Sequence, residues 1–102
     1  MNHSLALELL ENKVKELALS AYHVRYRHLV LKADEVLKIN AYNQYFYLTE
    51  ESPDVSITSD NGFYKYKAYN TNELVFEHTG SIVIENLNRS VSHIRLIQLI
   101  PA

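Results

Sequence analysis

The chain has 102 residues, of which 47% are hydrophobic and 22% are charged, the size and composition of one globular domain rather than of a disordered chain. The net charge of −2, with five histidines counted as neutral, gives no strong field that would attract nucleic acid or an anionic membrane. The absence of cysteine excludes disulfides and thiolate-bound zinc, and two glycines are too few for a glycine-rich phosphate loop.

An amphipathic helix is predicted over residues 4–21. Apolar residues recur at spacings of three and four from Ala6 to Ala21, so they lie on one face of a helix. The first four residues contain neither a basic region nor a cleavage site, so we expect no signal peptide. No apolar run approaches the roughly 18 residues that a transmembrane segment needs.

From Tyr22 onward, short runs of β-branched and aromatic residues alternate with turn residues. These runs predict eight strands: Tyr22–Leu31, Val36–Asn40, Gln44–Thr49, Val55–Thr58, Phe63–Tyr69, Leu74–Thr79, Ser81–Leu87 and Ser92–Ile100. Asn61-Gly62 predicts a type I′ hairpin turn, because that turn needs positive φ at both central residues. The spacing is typical of an antiparallel β-sandwich or jelly-roll-like barrel. We therefore expect an N-terminal helical arm, residues 1–21, and a β-sandwich domain, residues 22–102.

The last strand is apolar on both faces, and so are residues 29–31. A strand of this kind must be covered twice, so we expect the helix to pack on a sheet of its own chain or of a neighbour, and a second subunit to cover the other face. The alternative is a monomer whose helix closes one end of the barrel. The predicted interface residues are Leu10, Val14, Leu17, Leu29, Leu31, Ile97 and Leu99.

The titratable residues show no pattern of a metal or catalytic site. His23 and His28 are five apart in one predicted strand and point to opposite faces, and His78 shares a face with apolar neighbours, as a core histidine does. The three aspartates fall in predicted turns, where their side chains commonly bond nearby backbone amides. We expect no enzyme activity, no catalytic residue, no metal, no cofactor and no small-molecule substrate.

Tyrosine is abundant, with eight residues in the chain. Tyrosine suits strands and subunit contacts because it has an apolar ring and a polar tip. The alternative function is a ligand-binding β-sandwich module for a carbohydrate or another small molecule. Its exposed row would consist of Tyr42, Tyr45 and Tyr47, or of Tyr64 and Tyr66.

One basic segment lies in the first predicted strand and just after it. It consists of His23, Arg25, Arg27, His28 and Lys32. These residues are divided between two strand faces, so we favour cross-strand ion pairs or a contact with an acidic protein surface over nucleic-acid binding.

The segment from Arg27 to Ile100 resembles small bacteriophage virion structural proteins. The matching stretches are Leu29–Asp34, Asp54–Gly62, Gly80–Asn86 and Val91–Ile100. The resemblance implies a jelly-roll-like structural protein of a virus particle: a capsid vertex (penton), decoration or connector subunit. It further implies a homo-oligomer or other capsid proteins as partners. The expected location is the virion, with the host cytoplasm during assembly; the alternative is a cytoplasmic protein.

Overall fold

A computed structural model describes residues 3–49, 55–65 and 76–102. These residues form one helix and six strands: α1 (His3–Glu16), β1 (Tyr22–Leu31), β2 (Val36–Leu48), β3 (Val55–Ser59), β4 (Gly62–Lys65), β5 (Glu77–Asn86) and β6 (Ser92–Pro101). The strands form one sheet in the order β1-β6-β2-β5-β3-β4, and each neighbouring pair is antiparallel. A mainly β protein with an N-terminal helix is therefore confirmed.

Two pairs of predicted strands are single strands in the structure, so the described residues form six strands rather than eight. Predicted strands 36–40 and 44–49 are joined in β2, and the described part of 74–79 continues through Gly80 into 81–87 as β5. The predicted residues 66–69, 74 and 75 lie outside the described residues, as does the predicted turn at 53–54.

A bulge keeps β2 continuous. Its register against β5 shifts between Ala41 and Tyr45, and Asn43 adopts a left-handed conformation with φ of 63°. The Thr79 hydroxyl on β5 lies 2.6 Å from the Gln44 carbonyl, which gives that carbonyl a partner inside the bulge. The sequence analysis ends one strand at Asn40 and begins another at Gln44, whereas the chain passes through the residues between them without leaving the sheet.

The hairpin between β3 and β4 forms where it is predicted, but with a different turn. Ser59 pairs with Gly62, so the central residues are Asp60 and Asn61. Neither has a positive φ, and Gly62, with φ of 137°, follows them. The glycine therefore supplies the conformational freedom just after the turn, and the type I′ assignment is wrong.

The helix ends at Glu16, five residues before the predicted end. Ala18 is left-handed, with φ of 51°. The Leu19 amide donates to the Val14 carbonyl and the Ala18 amide to the Lys15 carbonyl, both at 3.1 Å. This is the Schellman arrangement of a helix C-terminus, and it turns the chain toward β1.

Apolar residues fill both faces of the sheet. On the face that α1 covers, the helix core consists of Ala6, Leu10, Tyr47, Ile97 and Leu99. On the opposite face, the sheet core consists of Leu31, Ala41, Phe46, Leu48, Val55, Ile57, Tyr64, Ile82, Ile84, Ile94 and Leu96. Successive residues of a strand point to opposite faces, and β6 contributes Ile94 and Leu96 to the sheet core and Ile97 and Leu99 to the helix core. This accounts for the apolar residues on both faces of the last strand.

Asn86, at the end of β5, is fully buried and holds several connections together. Its side-chain amide lies 3.2, 3.0 and 2.9 Å from the carbonyls of Leu31, Lys32 and Ser90. Its side-chain oxygen accepts from the Ser92 hydroxyl at 2.9 Å. The end of β1 and the beginning of β6 are thus bonded to one side chain.

Candidate interaction surface

The seven predicted interface residues lie on both faces of the sheet, and their own chain covers most of them. Leu10, Ile97 and Leu99 are buried in the helix core, with Val14 half-buried beside them. Leu31 is buried in the sheet core, and Leu29 packs against it. Leu17 is 39% exposed. The apolar faces therefore need no second subunit at most of these positions, and an intersubunit role for the seven residues stays a prediction.

Four exposed apolar side chains lie on β1, the ten-residue strand at one edge of the described sheet. Tyr22, Val24, Tyr26 and Val30 share the helix-side face, and we call them the outer strip. Tyr26 is 68% exposed. The helix packs mainly over β2 and β6, and the outer strip is exposed beside it. The alternation in the sequence predicted that these residues share one face of the strand. Their exposure depends on where the helix docks, which the sequence did not reveal.

The backbone of β1 is bonded to β6 at alternate residues. The Ala102 amide donates to the Ala21 carbonyl at 3.1 Å, and the register then pairs Tyr22 with Pro101. In an antiparallel pair, bonded and non-bonded positions alternate. The odd-numbered residues of β1 therefore bond to β6, whereas the even-numbered residues, from Tyr22 to Val30, direct their amides and carbonyls away from it.

Bonds on the other side of β6 support this assignment. The Thr49 amide donates to the Arg95 carbonyl at 3.1 Å, so the backbone of Arg95 faces β2. His28 lies opposite Arg95 in the register. The position is consequently non-bonded between β1 and β6, and the His28 backbone faces outward. The described residues leave a row of outward backbone donors and acceptors along β1, as edge strands do.

The two strands at this edge carry positive charge in a chain that is negative overall. Together β1 and β6 contain three arginines and three histidines, and neither contains an acidic residue: His23, Arg25, Arg27, His28, His93 and Arg95. The chain as a whole has a net charge of −2. The basic segment predicted from sequence is therefore extended by the last strand, which only the strand pairing brings beside it.

Arg27 is held in place on the face of the sheet opposite α1. Its guanidinium donates to the Gln98 side-chain oxygen at 3.0 Å and lies 6.0 Å from the centre of the Phe46 ring. The Gln98 amide in turn donates to the Gln44 side chain at 2.7 Å. Arg25, two residues before Arg27 and on the same face of the strand, is opposite Gln98 in the register and is exposed. Guanidinium groups on this face are suited to carboxylates, which they bind with two parallel hydrogen bonds.

His28 and His93 form a pair that the sequence did not reveal. His28 Nε2 lies 2.8 Å from His93 Nδ1, and the ring centres are 5.0 Å apart. Both residues are exposed. No group of three histidine or acidic side chains that would hold a metal ion occurs within residues 3–49, 55–65 and 76–102. The signal for the pair is the register of β1 against β6, since the two residues are far apart in the chain.

The predicted rows of tyrosines do not form an exposed platform among the described residues. Tyr47 and Tyr64 are buried, and the half-buried Tyr45 has the Lys13 ammonium 5.2 Å from its ring centre. Tyr66 lies outside the described residues. Tyr42 is 62% exposed at the β2 bulge. It lines a shallow open groove together with Lys38, Ile39, Asn40 and Ser81.

Buried titratable groups lie on both faces of the sheet. His78 is fully buried beside the Ser59 hydroxyl, 2.8 Å from its Nδ1, as predicted for a core histidine. Beneath the helix, burial raises the pKa of Tyr47 far above its usual value, and the charge of Glu77 adds to the effect. Burial lowers the pKa of Lys13, but hydrogen bonds to Glu16 and Glu77 outweigh it and leave this pKa raised. Tyr47, Lys13 and Glu77 lie where the helix meets the sheet, whereas His78 lies among apolar residues of the sheet core on the opposite face.

The fold and the surface define a small mainly β domain with a docked helix and an exposed basic edge strand. No protein-family model, no curated protein and no solved structure matches the chain. Within the described residues, no helix is long and apolar enough to cross a membrane.

Proposed function

We propose that this chain is a non-enzymatic structural protein that assembles with other protein chains through β1. The observation that supports the proposal is the combination, on one strand, of outward backbone groups and the outer strip. A ten-residue edge strand with exposed apolar side chains is a template for pairing with another chain. The last strand, which is apolar on both faces, is covered on both by its own chain, so the proposed contact lies on the neighbouring edge strand β1, where Val30 and the rest of the outer strip are exposed.

The setting that we propose is a virus particle, with the chain as a capsid vertex, decoration or connector subunit. The resemblance of residues 27–100 to small bacteriophage virion proteins supports this setting. The mainly β fold is compatible with a virion structural protein. That the strands are arranged as in a jelly roll is part of this proposal. Contact with other capsid proteins through β1 would place α1, which packs beside the outer strip, close to the junction.

Co-expression with the reading frames that flank the gene tests this function. A structural subunit sediments with a large assembly and is detected there by mass spectrometry, whereas the free chain has a mass of 11.8 kDa. Val24→Pro removes an outward amide without touching the bonds between β1 and β6, so it should release the chain from the assembly. Val24→Ala is the matched control, because it keeps the amide. A chain that never leaves the 11.8 kDa fraction contradicts the proposal.

A second candidate, carbohydrate binding, has one supporting observation. Tyr42 is exposed beside the polar side chains of Lys38, Asn40 and Ser81, and an exposed aromatic ring with polar neighbours can stack on a sugar. A glycan array tests it. Binding that is lost in Tyr42→Ala and kept in Tyr22→Ala would favour this function, and an array without hits would dismiss it.

A further inference from the structure

We infer that the occupant of β1 is an extended segment of a partner chain in which acidic and apolar residues alternate, added as a further strand of the sheet. The inference rests on the proposed function and specifies the chemistry of the partner. It follows from the backbone, the side chains and the charge of β1, each of which limits the partner independently.

The backbone requires an extended partner. The even-numbered residues from Tyr22 to Val30 direct their amides and carbonyls outward, at every second position of one strand. A partner in β conformation presents donors and acceptors with the same repeat, whereas a helix has satisfied its own. Pairing over the full strand would engage all five of these residues, Tyr22, Val24, Tyr26, His28 and Val30.

The side chains then assign alternating chemistry to the partner. Residues directly opposite each other in a sheet point to the same face. Partner residues opposite Tyr22, Val24 and Tyr26 therefore lie against the outer strip beside the helix and should be apolar. Partner residues opposite Arg25 and Arg27 lie on the other face, beside two guanidinium groups, and should be aspartate or glutamate.

The same charges disfavour a second copy of β1 as the occupant. Two copies of β1 could pair antiparallel about a two-fold axis. Their helices then lie on the same side of the joined sheet only when even-numbered residues face even-numbered ones and odd-numbered residues face odd-numbered ones. Two registers of this kind have the longest overlap. In one, Arg25 of each copy faces Arg27 of the other, and in the second, the Arg27 residues of the two copies face each other. Like charges directly opposite each other destabilise a strand pair, and no acidic residue within β1 or β6 offsets them.

Fluorescence anisotropy with synthetic peptides tests the inference on the full chain. The probes are a labelled decapeptide of alternating glutamate and valine, the same peptide with glutamine in place of glutamate, and the same with lysine. We expect the glutamate peptide to bind about tenfold or more tightly than the glutamine peptide, with affinity that falls as salt rises. Equal affinity for the glutamate and glutamine peptides would overturn the inference.

Two variants separate strand pairing from general attraction between opposite charges. Val24→Pro keeps every arginine and should lose the peptide, whereas Arg25→Glu should lose the preference for glutamate over lysine. Lys38→Glu, a charge reversal on the exposed side of β2, is the matched control and should bind as the wild type does. If Val24→Pro binds the glutamate peptide as tightly as the wild type, the peptide is not a strand of this sheet and the inference fails.

Amide hydrogen exchange gives a readout that does not depend on a proline variant. In the free chain, the amides of His23, Arg25 and Arg27 should exchange slowly because they bond to β6, and those of Val24 and Val30, which point away from β6, should exchange quickly. The glutamate peptide should selectively slow the exchange of these fast amides, and uniform protection or none would count against strand pairing.

The inference about the partner and the proposed function can fail independently of each other. If Val24→Pro disrupts the co-expressed assembly while Arg25→Glu leaves it intact, β1 assembles without an acidic partner; if neither disrupts it, the proposed contact fails as well.

Discussion

Lys13 on the helix and Glu77 on β5 form an ion pair, with 3.1 Å between Nζ and Oε1, in which the two side chains are 17% and 8% exposed. The same ammonium lies 3.0 Å from Glu16, within the helix. Removing both charges from water is costly, so each depends on the other for compensation. The pair therefore joins the helix to the sheet next to the helix core, beside the exposed outer strip of β1.

Lys13→Met should lower the free energy of unfolding by about 3 kcal/mol, because it leaves the Glu77 carboxylate buried without its ammonium partner. Urea unfolding followed by circular dichroism measures the change. Lys15→Met is the matched control: Lys15 is an exposed lysine of the same helix, and its replacement should change stability by less than about 0.5 kcal/mol. Equal losses in the two variants would show that the ion pair does not hold the helix.

Tyr47→Phe should stabilise the protein at pH 7 by about 1 kcal/mol. The Tyr47 hydroxyl is buried and has no hydrogen-bond partner among the described residues, so removing it relieves a desolvation cost. Thermal or urea unfolding measures the gain, and Tyr22→Phe, which changes an exposed hydroxyl, should have no effect. A loss of stability in Tyr47→Phe would mean that the hydroxyl makes a favourable bond.

The same variant should flatten the decline of stability at alkaline pH. The pKa of Tyr47 is raised in the folded chain, so the unfolded state loses this proton first, from about pH 10. Its contribution is fully present below pH 10 and is lost as the pH rises further, at about 1.4 kcal/mol per pH unit. Tyr47→Phe removes this part of the slope and Tyr22→Phe does not. Parallel slopes for wild type and Tyr47→Phe from pH 10 to 11.5 would contradict the burial of the phenol.

Short runs of β-branched and aromatic residues between turn residues were sufficient to predict the strands that contain neither glycine nor a bulge. The predicted limits of β1 coincide with the observed ones, Tyr22–Leu31, and β6 begins at Ser92 as predicted. The pattern failed at Gly80, which was predicted to end a strand. The strand continues through it with φ of 78°, and the Asp60 carboxylate occupies the space that a Cβ there would need. A local pattern does not report such a neighbour.

The candidate surface was predicted less completely than the fold. The sequence placed Arg25 and Arg27 on one face of a strand, but it gave no sign that the last strand lies beside the first. That pairing brings His28 to His93 and places Arg95 next to the basic segment. It depends on contacts distant in sequence, which neither periodicity nor turn residues encode. The exposed edge, unlike the buried cores, has no compositional signature of its own.

Ala18→Gly should raise the free energy of unfolding by about 1 kcal/mol. Ala18 has φ of 51°, a conformation that costs an alanine about that much and a glycine almost nothing. For a domain of this size the melting temperature should rise by about 5 °C. Ala33→Gly is the matched control, since Ala33 is an exposed turn residue without a positive φ, and should destabilise slightly. If Ala18→Gly also lowers the melting temperature, the helix does not end in the Schellman arrangement.

Asn86→Asp should destabilise the protein by about 3 kcal/mol at pH 7. The substitution replaces an amide that donates to the carbonyls of Leu31, Lys32 and Ser90 with a carboxylate oxygen that is repelled by them, at a fully buried position. The loss should shrink in acid, where a protonated carboxyl group again provides one donor. Asn40→Asp is the control, because that side chain is exposed and its oxygen still accepts from the backbone. Urea unfolding at pH 7 and pH 4 measures both variants. Equal small losses would show that the junction of β1, β5 and β6 does not depend on this amide, and a loss that grows in acid would contradict the proposed repulsion.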